Sequence, residues 1–400
     1  MEASFELTIE PLKSSTKELR TNDDLEVRPA TAEAGEAREA AIERVEVSVY
    51  RVPTDFPESD GTIEWDSTTV VLVELTAGGE RGLGYAYASP GAADLIRKKL
   101  AELILRANSM DIIHCWVAMN RAVRNIGKPG IASSAIAAVD VAMWDLKARL
   151  LGLPLVKLMG QAREKIPAYG SGGFTSYPLE KLYDQMQRWA VDGFKMVKMK
   201  IGRDRDRDKE RVRTAREAIG SEVQLFVDAN GAYAPKQALA NAEIFAGEHV
   251  SWFEEPASSD DLEGLRFVRE RAPAEMEIAA GEYGYDAIYF RRMLEAGAVD
   301  VLQADATRCG GITGFLQAAT LCDAFQTPFS AHTAPTLHQH LCCSASRARH
   351  VEYFYDHARI EQMFFDGAAQ PLDGHLRPDV SRPGLGLELK RSNIAKFLVE

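Results

Sequence analysis

No apolar run in these 400 residues approaches the roughly 20 needed for a helix to cross a bilayer, so no helical membrane span is expected. The N-terminus carries no signal-peptide pattern, because Glu6 and Glu10 interrupt its single apolar stretch. It is also too acidic for a mitochondrial transit peptide. Cysteine is sparse. Cys115, Cys309, Cys322, Cys342 and Cys343 form no CxxC, and five cannot all pair, so buried reduced thiols are expected in place of disulfides or a metal knot. Excess positive charge is missing as well. The 47 Lys and Arg against 59 Asp and Glu leave a formal net charge of −12, which argues against nucleic acid or an anionic membrane as partner. A cytoplasmic, soluble homo-oligomer is the expectation. An anionic substrate would then need local positive groups to capture it.

What is present divides into four stretches. Residues 1–41 are rich in Glu, Ala, Ser and Thr and lack aromatics after Phe5, which predicts an N-terminal arm, partly disordered or weakly helical. Residues 42–160 predict a small α+β domain. Val45, Val47 and Val49 alternate with polar residues, Val70–Leu75 is a second strand, and a helix is expected from about residue 91 to 107. A long helix follows over about 132–151, capped by Ser133 or Ser134 and stopped by Gly152 and Pro154. Residues 161–368 are rhythmic, with eight β-rich runs starting near 166, 194, 223, 250, 277, 299, 327 and 350. A period near 25 residues with intervening helices predicts a parallel (β/α) barrel, with its active groups at the C-terminal ends of the strands. Residues 369–400, punctuated by proline and glycine, predict a tail that returns to the first domain.

The charged residues fall at those strand ends. Lys198 and Lys200 are two apart in a run flanked by Val197 and Ile201, so both ammonium groups should face the barrel mouth. The third strand ends on Asp228 with Asn230 on the same face, and the fifth on Glu282. The fourth ends on Glu254-Glu255, of which one can point inward; Glu254 shares a face with Trp252. Carboxylates at the same end of three consecutive strands suit a hard divalent cation such as Mg²⁺, although any one of them would also serve as a salt-bridge partner for Lys198 or Lys200. The sixth strand ends near Asp305 and the seventh at His332. An Asp beside a His fixes its tautomer and raises its basicity, as a general base requires. Glu352, in the eighth strand, is a candidate acid or hydrogen-bond donor. His338 and His340 lie past a strand end in a predicted helix and are not expected to bind metal. The GlyGlyIleThrGly turn at 310–314 enters a helix whose N-terminus suits an anion.

In combination, these motifs resemble the mandelate racemase subgroup of the enolase superfamily. They are Lys198-x-Lys200, Asp228 with Asn230, TrpPheGluGluPro at 252–256, AlaGlyGlu at 280–282, Asp305 with GlyGlyIleThr, and His332. The AlaValAspValAlaMetTrpAspLeu helix is similar to the capping domain of that family. The resemblance covers about residues 42–390 and implies a (β/α)₇β TIM-like barrel with an N-terminal α+β cap. It further implies Mg²⁺ held by Asp228, Glu254 and Glu282, with Lys200 as base on one face of the substrate and Asp305–His332 serving the other. Lys198 would bind the substrate carboxylate and Glu352 would hydrogen-bond it. The chemistry implied is removal of the proton next to a carboxylate through an ene-diolate.

Three outcomes fit these groups: dehydration of an acid sugar to a 2-keto-3-deoxy acid, racemisation or epimerisation of a 2-hydroxy acid, or a metal-binding barrel with a hydrolytic or binding-only role. The last is disfavoured, because the first barrel strand offers no His ligand. Residues 53–66 predict a polar loop over the site. Asp55, Glu58, Asp60 and Thr62 there suit a hydroxylated chain, which favours the small-molecule acid sugar and gives Asp60 a substrate contact.

Overall fold

A computed structural model describes residues 40–399. The expectation of an N-terminal arm falls outside these residues except at its last two positions. The cap begins with three antiparallel strands, β1 (Arg44–Ser59), β2 (Glu64–Ala77) and β3 (Glu80–Tyr87). Beside a buried face of Val70, Leu72 and Tyr85 that joins the barrel core, alternation makes a second buried face, with Val49 opposite Val71 and Val71 opposite Ala86. That face packs on the helix Ile131–Leu150. Gly82 and Gly84 let the helix close on β3, since a Cβ at Gly84 would lie 2.1 Å from the Ala138 carbonyl oxygen and one at Gly82 would lie 2.4 Å from that of Ala142. Small residues at a contact set the distance between elements.

Three details differ from expectation. Gly130, with φ +72°, occupies the N-cap of the long helix, while Ser133 and Ser134 are buried inside its first turn. Ser133 Oγ donates instead to the Gly130 carbonyl. An additional helix spans Ile112–Ala122, which the sequence pattern does not announce. Residues 53–66 do not form a loose loop. They continue β1 past an irregularity between Pro53 and Glu58 and turn back into β2 at 60–63.

Eight parallel strands close the barrel: β4 (Ile166–Gly172), β5 (Met196–Lys200), β6 (Gln224–Asp228), β7 (Val250–Glu254), β8 (Glu277–Ala280), β9 (Val301–Ala304), β10 (Phe329–Ala331) and β11 (Ala348–Phe354). The pairing of β11 with β4 completes the ring. A helix links each strand to the next, and a further helix, Tyr355–Phe364, follows β11. Inside the barrel Lys198 is in register with Phe226 and Phe226 with Trp252, and one layer higher Lys200 is in register with Asp228 and Asp228 with Glu254. The period-2 pleat thus stacks an aromatic layer beneath a charged one.

Two carboxylates of the long cap helix fix cap to barrel and tail. Asp140 accepts from Thr313 N at 2.9 Å and Thr313 Oγ1 at 2.6 Å. The anion at the N-terminus of the helix Gly311–Phe325 is therefore the protein's own. Asp145 accepts from Leu83 N at 2.8 Å, Leu385 N at 2.6 Å and Arg149 Nε at 2.8 Å. The tail touches both domains, since His375–Leu376 pairs with β4 and Val399 N donates to Val49 O. Asp145→Ala would leave two buried N–H groups and an arginine without this acceptor. A loss of about 3 kcal/mol or more is expected in chemical unfolding, and a loss below about 1 kcal/mol would contradict the role assigned to Asp145.

Candidate active site

The in-register triplet puts Lys200, Asp228 and Glu254 at one height around the mouth. Glu282 joins them from two residues beyond β8, across Gly281. This glycine has φ +133°, and a Cβ there would lie 2.1 Å from the Gln303 carbonyl oxygen, so the backbone turns where no other residue fits. One carboxylate oxygen each from Asp228, Glu254 and Glu282 lies within 4.8 Å of the others, all three side chains being buried. Glu282 Oε2 is buried with no hydrogen-bond partner. An all-oxygen donor set with an orphaned anionic oxygen fits a hard divalent cation.

Lys198 is fully buried below the mouth. Its ammonium lies 2.5 Å from Glu254 Oε1, 2.9 Å from Glu352 Oε1 and 3.3 Å from Asp228 Oδ2. Lys200 Nζ contacts Asp228 Oδ2 at 2.5 Å and Asn230 Oδ1 at 3.2 Å. Burial disfavours the charge on Lys200, but the Asp228 carboxylate outweighs burial and raises the lysine above its ordinary value. Burial also opposes ionisation of Asp228, which the two lysines nevertheless hold well below the usual carboxylate range. Glu254 is oriented at Oε2 by Trp252 Nε1 and Gln303 Nε2, both at 3.0 Å. Glu255, in a left-handed conformation at φ +39°, stays buried at the mouth and does not turn outward.

Across the mouth, His332 Nδ1 lies 2.8 Å from Asp305 Oδ2, and its Nε2 lies 3.4 Å from Glu282 Oε2. Burial would raise Asp305, yet the hydrogen bond and charge of His332 hold it well below the normal range. Glu352 accepts from Ser171 Oγ at 2.5 Å and from Thr333 N at 2.9 Å. Burial opposes its charge, and Lys198 more than compensates, lowering its pKa to about 2. In this arrangement Glu352 accepts from Ser171 and Thr333 and faces the Lys198 ammonium.

Lys200, Asn230, Glu282 and His332 line one cavity of about 360 Å³ between barrel and cap hairpin, together with Asp60, Trp65, Tyr87, Tyr283, Arg308, Thr333, Phe354 and His357. A wider crevice of about 670 Å³ adjoins it and shares Asn230, Tyr283 and Arg308, but contains neither Lys200 nor His332. Lys198 and Glu352 lie beneath the cavity floor and do not line it. Arg308, Tyr283, Tyr87 and His357 do not stand out in the sequence. Arg308 places a cation in the cavity lining. It donates to Glu282 Oε1 at 3.0 Å and lies 3.6 Å from Asp305. Its place three residues past a strand-ending Asp is the one signal it gives. His357 stacks on Tyr87 with ring centroids 3.3 Å apart, a contact between cap and barrel that only the fold creates.

The hairpin acids are each engaged within the fold. Asp60 reaches the cavity edge, but its Oδ1 accepts from Thr62 N, Thr62 Oγ1 and Ile63 N and so holds the turn. Asp55 pairs with Tyr355 and Arg359. Glu58 is buried, accepting from Trp65 Nε1 at 2.9 Å. Burial, aided by the Asp356 charge, pushes its pKa up to about 8. The folded chain therefore holds this proton more tightly than the unfolded one, and stability falls as pH rises from the ordinary Glu range towards 8. Glu58→Gln should remove that slope, gaining on the order of 1–2 kcal/mol over wild type near pH 8 and little near pH 4. Unfolding curves with the same difference at both pH values would refute this origin.

Two family models match. Residues 44–160 match the mandelate racemase/muconate lactonizing enzyme N-terminal domain, and residues 181–393 match the enolase C-terminal domain-like model. The chain is 32% identical over 374 residues to 3,6-anhydro-alpha-L-galactonate cycloisomerase from Streptomyces coelicolor, covering 90% of this chain and 99% of that protein. A mandelate racemase/muconate lactonizing enzyme-like protein from Rubrobacter xylanophilus superposes with a TM-score of 0.88 at 52% identity, over 90% of this chain and all of the other. An L-talarate/galactarate dehydratase mutant liganded with Mg and L-glucarate superposes with a TM-score of 0.84 at 26% identity, over 92% of this chain and 95% of the other. Other relatives include further acid-sugar dehydratases and a hydrophobic dipeptide epimerase. Among the described residues no helix is long and apolar enough to cross a membrane.

Proposed function

From the premise that this chain belongs to the mandelate racemase/muconate lactonizing enzyme family of the enolase superfamily, we propose that it dehydrates an acid sugar to a 2-keto-3-deoxy acid. The observation that carries this reading is one cavity lined by Lys200, His332 and Glu282, with Asp305 bonded to the His332 ring and Glu282 grouped with Asp228 and Glu254 in an oxygen triad suited to Mg²⁺. Asp228, Glu254 and Glu282 would hold Mg²⁺, which would supply positive charge to the substrate carboxylate and to the ene-diolate formed from it. Lys198 and Glu352 form the buried support of that floor: Lys198 balances Glu254 and Glu352, and Glu352 tethers the backbone next to His332.

The residues then divide the chemistry. Lys200 or His332 takes the proton from the carbon next to the carboxylate. In dehydration the hydroxyl on the following carbon leaves as water with a proton delivered by His332, whose other nitrogen is held by Asp305. The enol so formed tautomerises to the 2-keto acid. Arg308, Asn230 and the Tyr87–His357 stack offer hydrogen-bonding and stacking surfaces to a hydroxylated chain. The same apparatus without a leaving hydroxyl would interconvert epimers, and the epimerase among the relatives keeps that second reading in play.

The experiment is a panel of acid sugars incubated with enzyme and Mg²⁺ in D₂O. The expected result is a 2-keto acid from at least one of them, carrying deuterium at C3. Inversion or exchange at C2 with no keto acid from any acid sugar would replace dehydration by epimerisation.

A further inference from the structure

Two consecutive residues follow His332 in the left-handed conformation, Thr333 at φ +49° and Ala334 at φ +39°. Neither is glycine, and such conformations persist only where their surroundings over-determine them. Thr333 is fixed at every polar atom. Its N–H donates to Glu352 Oε2 at 2.9 Å, its hydroxyl lies 3.3 Å from Asp305 Oδ2, and its carbonyl accepts from His338 Nδ1 at 2.8 Å. The other nitrogen of His338, Nε2, accepts from Ala306 N at 2.9 Å. One imidazole thus joins the residue immediately after Asp305 to the residue immediately after His332.

These two bonds define the ring's state. A carbonyl accepts, so Nδ1 carries the hydrogen, and an N–H donates, so Nε2 is bare. The ring is fully buried and lies 5.3 Å from the Phe315 ring. It acts as a rigid spacer between the ends of β9 and β10, and its span sets where the Asp305 carboxylate meets the His332 ring. In the helix Pro335–Ser344, His338 is placed for this by chain geometry: its own N–H closes the first turn on the Ala334 carbonyl. His340, two residues on, has neither ring nitrogen bonded, so the bonding is particular to His338.

We propose that His338 is a positioning residue for the Asp305–His332 pair, fixing the proton-transfer geometry on that face of the substrate through the backbone of Ala306 and Thr333. This rests on the reading of His332 as a proton-transfer group. Removing the spacer would strand a buried N–H and a buried carbonyl and free the two strained residues. A displacement of about 1 Å at a reacting group can cost on the order of 100-fold.

The test uses His338→Phe, His338→Asn and His338→Gln, with α-deuterium exchange followed in D₂O on galactonate and talonate, monocarboxylic acid sugars of opposite configuration at the one carbon next to the carboxylate. Gln can both donate and accept at a separation close to that of the imidazole nitrogens, Asn reaches less far, and Phe does neither. Exchange on the His332 face should fall in the order wild type, Gln, Asn, Phe, reaching a loss of about 100-fold. Exchange on the Lys200 face, KM and Mg²⁺-induced thermal stabilisation should stay within about threefold of wild type or its equivalent shift. If the Phe variant does not fold, the Gln and Asn variants carry the comparison. Both faces falling together, or neither falling in any variant, would overturn the positioning role. A wild-type level of exchange on that face in His332→Asn would instead refute the underlying assignment of His332.

Discussion

Glu254→Gln is expected to lower turnover by at least about a thousandfold, roughly 4 kcal/mol of lost transition-state stabilisation, and to abolish the thermal stabilisation produced by Mg²⁺. The change preserves shape and removes one charge from the triad of Asp228, Glu254 and Glu282. It also disturbs the support. Glu254 Oε2 accepts from Trp252 and Gln303, and Oε1 faces the Lys198 ammonium. An amide has one NH₂ to place, and on either side it would meet a donor. The variant therefore loses both the ligand charge and the orientation of what remains. The fold should survive, because the three donors lie in a barrel whose closure does not depend on them. The measurement is unfolding temperature against Mg²⁺ concentration, beside activity on an accepted acid sugar. A variant stabilised by Mg²⁺ as strongly as wild type would remove Glu254 from the cation site.

The barrel and its charged mouth are legible in the amino-acid sequence because of where the residues lie. A parallel strand buried on both faces has few ways to carry a charge, so Lys198, Lys200, Asp228 and Glu254 within apolar runs are informative by position. The spacing of the two lysines by two residues then sets their common facing. Uninterrupted parallel pairing puts Lys200 level with Asp228, and a one-residue shift between Leu225 and Phe226 in the pairing of β6 with β7 puts Asp228 level with Glu254. His332 and Asp305, on adjacent strands, meet for the same reason.

The failures also have a physical pattern. Polarity of the 53–66 hairpin suggests affinity for a hydroxylated ligand, but a turn must first satisfy its own backbone. Asp60 Oδ1 is occupied by Thr62 and Ile63, and Glu58 Oε2 by Trp65, so each carboxylate commits one oxygen to the hairpin itself. Contacts that need two distant segments leave no trace at all. Tyr87 and His357 stack across 270 residues of sequence, and the Arg308 side chain reaches back to Glu282 on the preceding strand's loop. The role of His338 is invisible for a further reason: both its partners are backbone groups, which have no signature in sequence.

Lys200→Met and His332→Asn are expected to fail in different ways, each losing at least about a thousandfold in one direction of α-proton exchange. The two side chains line one cavity, yet they come from β5 and from the end of β10, strands separated by β4 and β11 on one side and by β6 to β9 on the other. A planar carbanion between them would present one face to each. Lys200→Met keeps length and packing but has no basic nitrogen. It leaves Asp228 without the contact at 2.5 Å and leaves the Asp305–His332 pair untouched. His332→Asn retains a short donor towards Asp305 but places no nitrogen near Glu282 and the cavity. With a pair of epimeric acids in D₂O, each variant should exchange the epimer whose proton faces the surviving base and spare the other. Epimerisation needs both groups, so neither variant should interconvert the two acids. Dehydration separates further. His332→Asn should stop loss of the hydroxyl, since it removes the proton donor, while Lys200→Met should stop it only where Lys200 takes the first proton. An enzyme in which both variants keep full exchange of both epimers would have its bases elsewhere in the cavity.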